Sequence, residues 1–177
     1  MMKTLVIVAH PNIEESRINK RWVEELKKYS DEITVHELYK AAPNWEFDID
    51  YEQRLLLEHD RYIFQFPFYW YSSPPLLKKW FDDVLTYGFA YGSTGDKVRN
   101  KEFGLAISIG GLETQYKDGL TMNELTKPFQ ATCLYTGMQF IPTFMLYGAE
   151  YQLKDEDIER SADQYIKYIM NKSNLYI

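Results

Sequence analysis

Apolar, β-branched runs alternate with amphipathic stretches five times along this chain, and that alternation constrains its fold most strongly. Such a pattern implies an α/β fold with a parallel sheet and helices on both faces. The first run, Thr4 to Ala9, is apolar without alternation, as suits a strand buried on both sides. Ile33 to Leu38 alternates apolar and polar, as a strand nearer the sheet edge does. Arg61 to Phe66 is stopped by Pro67, and Phe103 to Ile109 is ended by Gly110-Gly111. Phe140 to Leu146 supplies a fifth strand, with Pro142 limiting its ladder on one side.

The intervening segments read as helices. Ser16 can cap one whose stripe is Ile18, Trp22, Val23 and Leu26. Ala41 to Asp50, with Pro43 and Asn44, reads as a loop before a short helix over Gln53 to Leu57. Pro74 and Pro75 open a helix with Leu76, Leu77, Trp80, Phe81, Val84 and Leu85 inward. Another starts near Thr126-Lys127-Pro128 and ends at Gly137, a C-terminal glycine cap. Asp155 is expected to cap the last helix, with Ile158, Ala162, Tyr165, Ile166 and Ile169 inward. Five strands in this length predict a flavodoxin-like three-layer sandwich with a five-stranded parallel sheet, order 2-1-3-4-5. No linker divides the chain, so residues 1–177 form a single expected domain.

Composition narrows the function. A formal charge of −6 argues against a phosphate-backbone footprint, so no nucleic-acid partner is expected. The one cysteine, Cys133, cannot form an internal disulfide, and no Cys/His cluster suggests a metal site. A reducing cytoplasm fits that cysteine usage. No apolar run nears the ~18 residues of a membrane span, and the first strand leaves no room for a signal peptide. Aromatics make up 16% of the chain, an excess that still needs a reason.

In this fold, ligands bind beyond the carboxyl ends of the strands, at the loops after strands 1, 3 and 4. The first loop, His10 to Asn19, lacks both the G-x-G-x-x-G fingerprint and a P-loop. It still feeds a helix N-terminus, an anion site made of free amides and the helix dipole. Ser16 and Asn19 could add hydrogen bonds there, and Arg17 charge; a plain cap with a solvated arginine is the equal alternative. The loop after strand 3 holds four consecutive aromatics, Phe68-Tyr69-Trp70-Tyr71. A flat ligand would stack on them, although a protein–protein contact uses the same residues. After strand 4, Ser108-Ile109-Gly110-Gly111 lets backbone approach a ring without Cβ interference. Together the loops suit FMN, with phosphate at the helix N-terminus and the ring between the other two loops.

At these residues the chain resembles the NAD(P)H:quinone oxidoreductases, the DT-diaphorase family. It is most similar to the small bacterial branch with the ancillary oxidoreductase of the glutathione-gated potassium-efflux system. The resemblance rests on His10-Pro11, Ser16-x-x-Asn19, Pro67 to Ser72 with Pro74-Pro75-Leu76-Leu77-Lys78, Gly88 to Gly92, Ser108 to Gly111, and Pro128 to Thr132. It implies a flavin-bound homodimer with its active site at the interface, passing two electrons from NADH or NADPH to a quinone by a ping-pong route. It also implies that His10, Ser16, Arg17, Ile18 and Asn19 hold the phosphate–ribityl end. Phe68, Tyr69, Trp70 and Tyr71, with Ser108, Ile109, Gly110 and Gly111, would hold the isoalloxazine. Tyr116 matches a tyrosine of the catalytic pocket. The Gly88 to Gly92 stretch with Tyr91 would close the pocket across a two-fold axis. The chain departs from the mammalian members, which set a histidine beside that tyrosine. Only His10, His36 and His59 occur here, and Ser108-Ile109 replaces the usual Thr-Thr or Thr-Ser. With no extension to embrace an adenosine, FMN is favoured over FAD. The alternative function is a regulatory subunit docking on a potassium-efflux antiporter.

The remaining residues have plainer readings. His36 on the edge strand is expected at the surface, and His59 as a cap or surface residue. Cys133 is expected as a core thiol, and Lys154 to Asp157 as a helix start with favourable charge. Trp45 and Phe47 pack either over the first cleft or against a partner.

Overall fold

The computed structural model describes residues 2–117, 119–151 and 153–171. β1 (Thr4–Val8) is buried throughout and pairs in parallel with β2 (Ile33–Glu37) and β3 (Arg61–Pro67). Val6 lies opposite Val35 on one side and Ile63 on the other. β4 (Glu102–Ser108) follows β3, and beyond it lie two short strands, β5 (Gln139–Phe140) and β6 (Phe144–Leu146). The order β2-β1-β3-β4-β5 is the expected one, with β6 also on β4. The fifth position is therefore split at Ile141-Pro142-Thr143, because Pro142 has no N–H to continue a ladder.

Helices cover both faces. α1 (Arg17–Leu26) and α7 (Asp155–Met170) pack on Val6, Val8, Ile63 and Ala106. Trp22 joins the two helices by donating its Nε1–H to Ser161 Oγ at 2.9 Å. On the opposite face, α2 (Leu38–Ala41), α3 (Ile49–Glu58), α4 (Pro75–Val84), α5 (Met122–Leu125) and α6 (Lys127–Thr136) surround a second core. Phe64 anchors it, with ring centroids 4.6 Å from Phe103 and 5.5 Å from Trp80. Part of the aromatic excess is thus core. Cys133 is buried here as expected, and Gly137 ends α6 at φ 73°. The short α5, closed by reciprocal bonds between Thr121 and Glu124, was not foreseen from the sequence.

Two expectations are corrected, and that of His59 as a cap or surface residue holds in its first form. His36 is not at the surface: its Nε2 lies 2.8 Å from Glu52 Oε1, and both residues are buried. β2 is an edge strand, but its Thr34–His36 face lies beneath α3, which brings Glu52 and His59 onto it. His59 caps the end of α3 and is buried, donating from Nδ1 to the Leu55 carbonyl at 2.7 Å. Its Nε2 lies 2.8 Å from Thr34 Oγ1. Asp155 is the first residue of α7; Lys154 holds the cap position, without a side-chain bond. At the other end of the sheet, buried Arg61 pairs with Glu102 and donates to the Ile169 carbonyl, fastening α7 to β3 and β4.

Candidate functional site

The loops after β1, β3 and β4 meet at one edge of the sheet. In the first, Ser16 has extended backbone geometry and its Oγ accepts the Asn19 amide at 3.0 Å. This satisfies one first-turn donor and leaves the Arg17 and Ile18 amides without an intrahelical acceptor. Ile18 is buried, so it contributes backbone, not side chain. Asn12 N–H donates to His10 Nδ1 at 3.1 Å, which places the imidazole proton on Nε2. Burial holds the His10 pKa below its ordinary value, so the ring is a neutral donor.

Arg17 and Asn19 are placed differently from the sequence expectation. Arg17 directs its guanidinium to Asp155 Oδ1 at 2.7 Å and to the Leu153 carbonyl at 2.9 Å, on the α7 side. Charge from Arg17 is therefore spent on the α7 terminus. Asn19 is buried, and its Nδ2 donates to Ser108 Oγ at 2.8 Å. Its carbonyl accepts from Gln65 Nε2 at 3.1 Å. Asn19 and Ser108 thus hold the first and third loops together. Ile109 is likewise buried, and its N–H bonds the Leu146 carbonyl at 2.8 Å.

The loop after β3 contains a backbone outlier. Tyr69 and Ser72 exchange backbone bonds of 2.9 and 3.0 Å, closing a two-residue turn over Trp70 and Tyr71. Those residues have φ of 46° and 61°. Tight hairpin turns with two positive φ values normally use Asn and Gly, because a Cβ there costs ~1–2 kcal/mol per residue. Two aromatics occupy the strained pair instead, and Trp70 is 93% exposed. Local backbone strain of this kind concentrates at ligand sites.

These side chains line a cleft of 580 Å³ bounded by Phe68, Tyr69, Trp70, Tyr71, Gly110, Gly111, Tyr116 and Glu150. Phe68 meets Tyr71 and Tyr116 edge-on, with centroids 6.4 and 6.3 Å away. Tyr116 lies against Gly111, where a Cβ would stand 3.1 Å from its hydroxyl. Burial raises the Tyr116 pKa, and the neighbouring Tyr71 and Glu150 charges add to the shift. Gly110 makes room for a side chain rather than only for a ring: a Cβ there would stand 2.8 Å from Glu150 Cδ. Glu150 is a cleft residue that the sequence did not reveal, because it follows the split fifth strand. Of the three histidines, His36 and His59 lie under α3, and only His10 stands at this edge. Trp45 stands edge-on to Tyr39 at 6.3 Å, and Phe47 packs on the core.

A second surface also exposes aromatic side chains. Tyr87, Tyr91 and Tyr135 form a chain of rings with centroid separations of 5.9 and 5.5 Å. Gly88 and Gly92, at φ 80° and 88°, shape the loop that carries Tyr91. Beside them Leu134 is 84% exposed.

The cleft volume lies within the range of small-molecule sites, and amide donors, a neutral imidazole and an aromatic wall fit the parts of a flavin mononucleotide. Comparison with known proteins agrees with the architecture. The family profile for the flavodoxin-like fold matches residues 2–169. A Bacillus subtilis protein named uncharacterized NAD(P)H oxidoreductase YrkL is 52% identical, over 95% of this chain and 98% of its own length. The glutathione-regulated potassium-efflux system ancillary protein KefF of Klebsiella aerogenes is 37% identical, over 91% of each. General stress protein 14 of Treponema denticola, solved in complex with FMN, superposes with a TM-score of 0.90 at 39% identity, covering 94% of this chain and 97% of that one. A protein of P. pentosaceus described as an NADPH-quinone reductase gives 0.86 at 34% identity, covering 96% and 99%. On the profile match and these identities, the chain belongs to the family with the flavodoxin-like fold.

Proposed function

We propose that this protein is an FMN-dependent NAD(P)H oxidoreductase whose second substrate is a quinone or a similar flat acceptor. The observation that carries this reading is the strained Trp70–Tyr71 turn, which presents aromatic faces to a cleft instead of burying them. Strain costing a few kcal/mol is retained where a ligand interaction offsets it. The FMN complex of the Treponema relative and the names of YrkL and the P. pentosaceus protein support the cofactor and the reaction class. When bound, FMN supplies the two-electron chemistry, accepting hydride from NAD(P)H and reducing the acceptor.

The protein's own groups bind and orient. The Arg17 and Ile18 amides at the start of α1 hold the phosphate, and the positive end of the helix dipole adds to them. The His10 Nε2–H donates to the same end without adding charge. Asn19 and Ser108 fix the distance between phosphate loop and ring loop. Phe68, Tyr69, Trp70 and Tyr71 cover one flank of the ring, and Gly110 and Gly111 approach it with backbone. Tyr116, a phenol un-ionised at neutral pH, donates a hydrogen bond to an acceptor oxygen.

The Tyr87–Tyr91–Tyr135 surface with Leu134 suits a second copy of the chain, which would close the open side of the cleft. A second reading, docking on a potassium-efflux antiporter, draws on the similarity to the ancillary protein KefF. It is compatible with catalysis, and retention on antiporter-containing membranes would support it. The deciding experiment for the main reading is purification followed by absorption spectroscopy. The protein is expected to be yellow, or to become so with added FMN, and to bleach anaerobically with NADH or NADPH. A preparation that neither retains nor binds FMN overturns the reading.

A further inference from the structure

Among the described residues, Glu150 is the one with a formal charge that lines the aromatic cleft. Its place is set by backbone. After β6 the chain runs along Ile109 to Gly111, with Ala149 N–H on the Ile109 carbonyl at 2.9 Å and Glu150 N–H on the Gly110 carbonyl at 3.2 Å. Gly148, at φ 82°, turns the segment, and its N–H bonds the Gly111 carbonyl at 2.8 Å. The Glu150 side chain then lies across the Cα of Gly110, in space that any Cβ would fill. Among the described residues, no Lys, Arg or His forms an ion pair with it. The carboxylate therefore faces the cleft with its charge uncompensated.

We propose that Glu150 selects ligands of the cleft by charge, favouring aromatic rings that are cationic over neutral ones and excluding anionic ones. This rests on the oxidoreductase reading and names the ligand class for its second site. A pyridinium ring, such as that of an oxidised nicotinamide, is the cation such a cleft would favour. Neutral quinones enter without penalty, whereas carboxylated or sulfonated acceptors meet a like charge at the rim. Glu150 is exposed, and for a ring seated within about 4 Å of its carboxylate each unit of ligand charge changes affinity by about five- to tenfold.

Three nearly isosteric probes test this: 1-methylnicotinamide (cation), nicotinamide (neutral) and nicotinate (anion). Their dissociation constants are measured by tryptophan fluorescence on the protein with and without FMN, and by perturbation of the flavin spectrum when it is loaded. The wild type is expected to bind in that order, with a span of roughly 25- to 100-fold between cation and anion that narrows in high salt. E150Q should compress the span to within about threefold, and E150D should keep the order with a smaller span. A wild-type protein that ignores charge, or an E150Q span equal to the wild type, overturns the proposal. Flavin loading and bleaching by NAD(P)H are scored separately, so a failure of charge selection is distinct from a failure of the enzyme reading.

Discussion

Asn19 Nδ2 donates to Ser108 Oγ at 2.8 Å, and both groups are buried. The bond joins the first turn of α1 to the end of β4, and so sets the spacing between the proposed phosphate site and the proposed ring site. Asn19→Ala is expected to destabilise the protein by ~1–3 kcal/mol, because Ser108 loses its buried side-chain partner and Gln65 loses its 3.3 Å bond to Asn19 Oδ1 while keeping the backbone carbonyl. FMN affinity should fall at least tenfold alongside. Ser108→Ala leaves the Asn19 amide with one bond fewer and should cost ~1–2 kcal/mol. Urea unfolding and FMN fluorescence titration of both variants check the ranking.

Trp70 separates strain from stacking. Trp70→Ala removes the ring and keeps a Cβ at φ 46°, whereas Trp70→Gly removes both. Both variants should bind FMN and turn over at least tenfold more weakly than the wild type. The glycine variant should be more stable than the alanine variant by ~1 kcal/mol, since glycine adopts positive φ freely. Unchanged flavin affinity and rate in Trp70→Ala would refute the proposed wall.

Under α3, the Glu52 carboxylate is shared by His36 and by Trp80, whose Nε1–H reaches Oε2 at 2.8 Å. Glu52→Ala should cost ~3–4 kcal/mol, as it leaves two buried polar groups unpartnered and a void. Glu52→Gln keeps an acceptor for Trp80 and should lose less than half of that. Thermal unfolding of the two variants measures the difference. Flavin binding should be little changed while the fold persists.

The exposed surface of Leu134 with Tyr87, Tyr91 and Tyr135 makes an oligomeric prediction. The wild type should elute as a dimer by light scattering. Leu134→Glu with Tyr135→Ser should shift it to monomer, because a charge at a buried apolar contact costs several kcal/mol. Turnover should drop with the dimer, while urea stability extrapolated for the monomer stays near its starting value.

Burial pushes the Cys133 thiol up to about 12. At pH 8 the thiolate is then roughly one part in ten thousand, and alkylation should be far slower than for an exposed cysteine. The sign in stability follows: the native state favours the protonated thiol, so this contribution is complete below about pH 9 and is lost progressively as pH rises toward 12. Iodoacetamide labelling followed by intact mass, with and without denaturant, checks the protection. Rapid native labelling at pH 8 would contradict it.

The strand order and most helices were legible from local pattern, because burial on both faces writes an uninterrupted apolar run and a helix writes a 3.6-residue stripe. Ser16 as cap of α1, Pro75 at the start of α4 and Gly137 at the end of α6 were equally visible, since capping is chemistry within a few residues. The split of the fifth strand was half visible, through Pro142. The loops of the candidate site could be named, for they lie at fixed places in this topology.

What the sequence determined by itself was therefore the α/β architecture and the three loops that meet at the edge of the candidate site. Only the tertiary structure decided what individual polar side chains do there. Arg17 turns to Asp155, Asn19 to Ser108, His36 to Glu52, and Glu150 lies over Gly110, each partner lying more than fifteen residues away in the chain. The physical reason is range. Hydrophobic periodicity and capping are local and repeat within a turn or a strand, whereas a hydrogen bond between distant residues exists only once the sheet has set their separation to within a few tenths of an ångström.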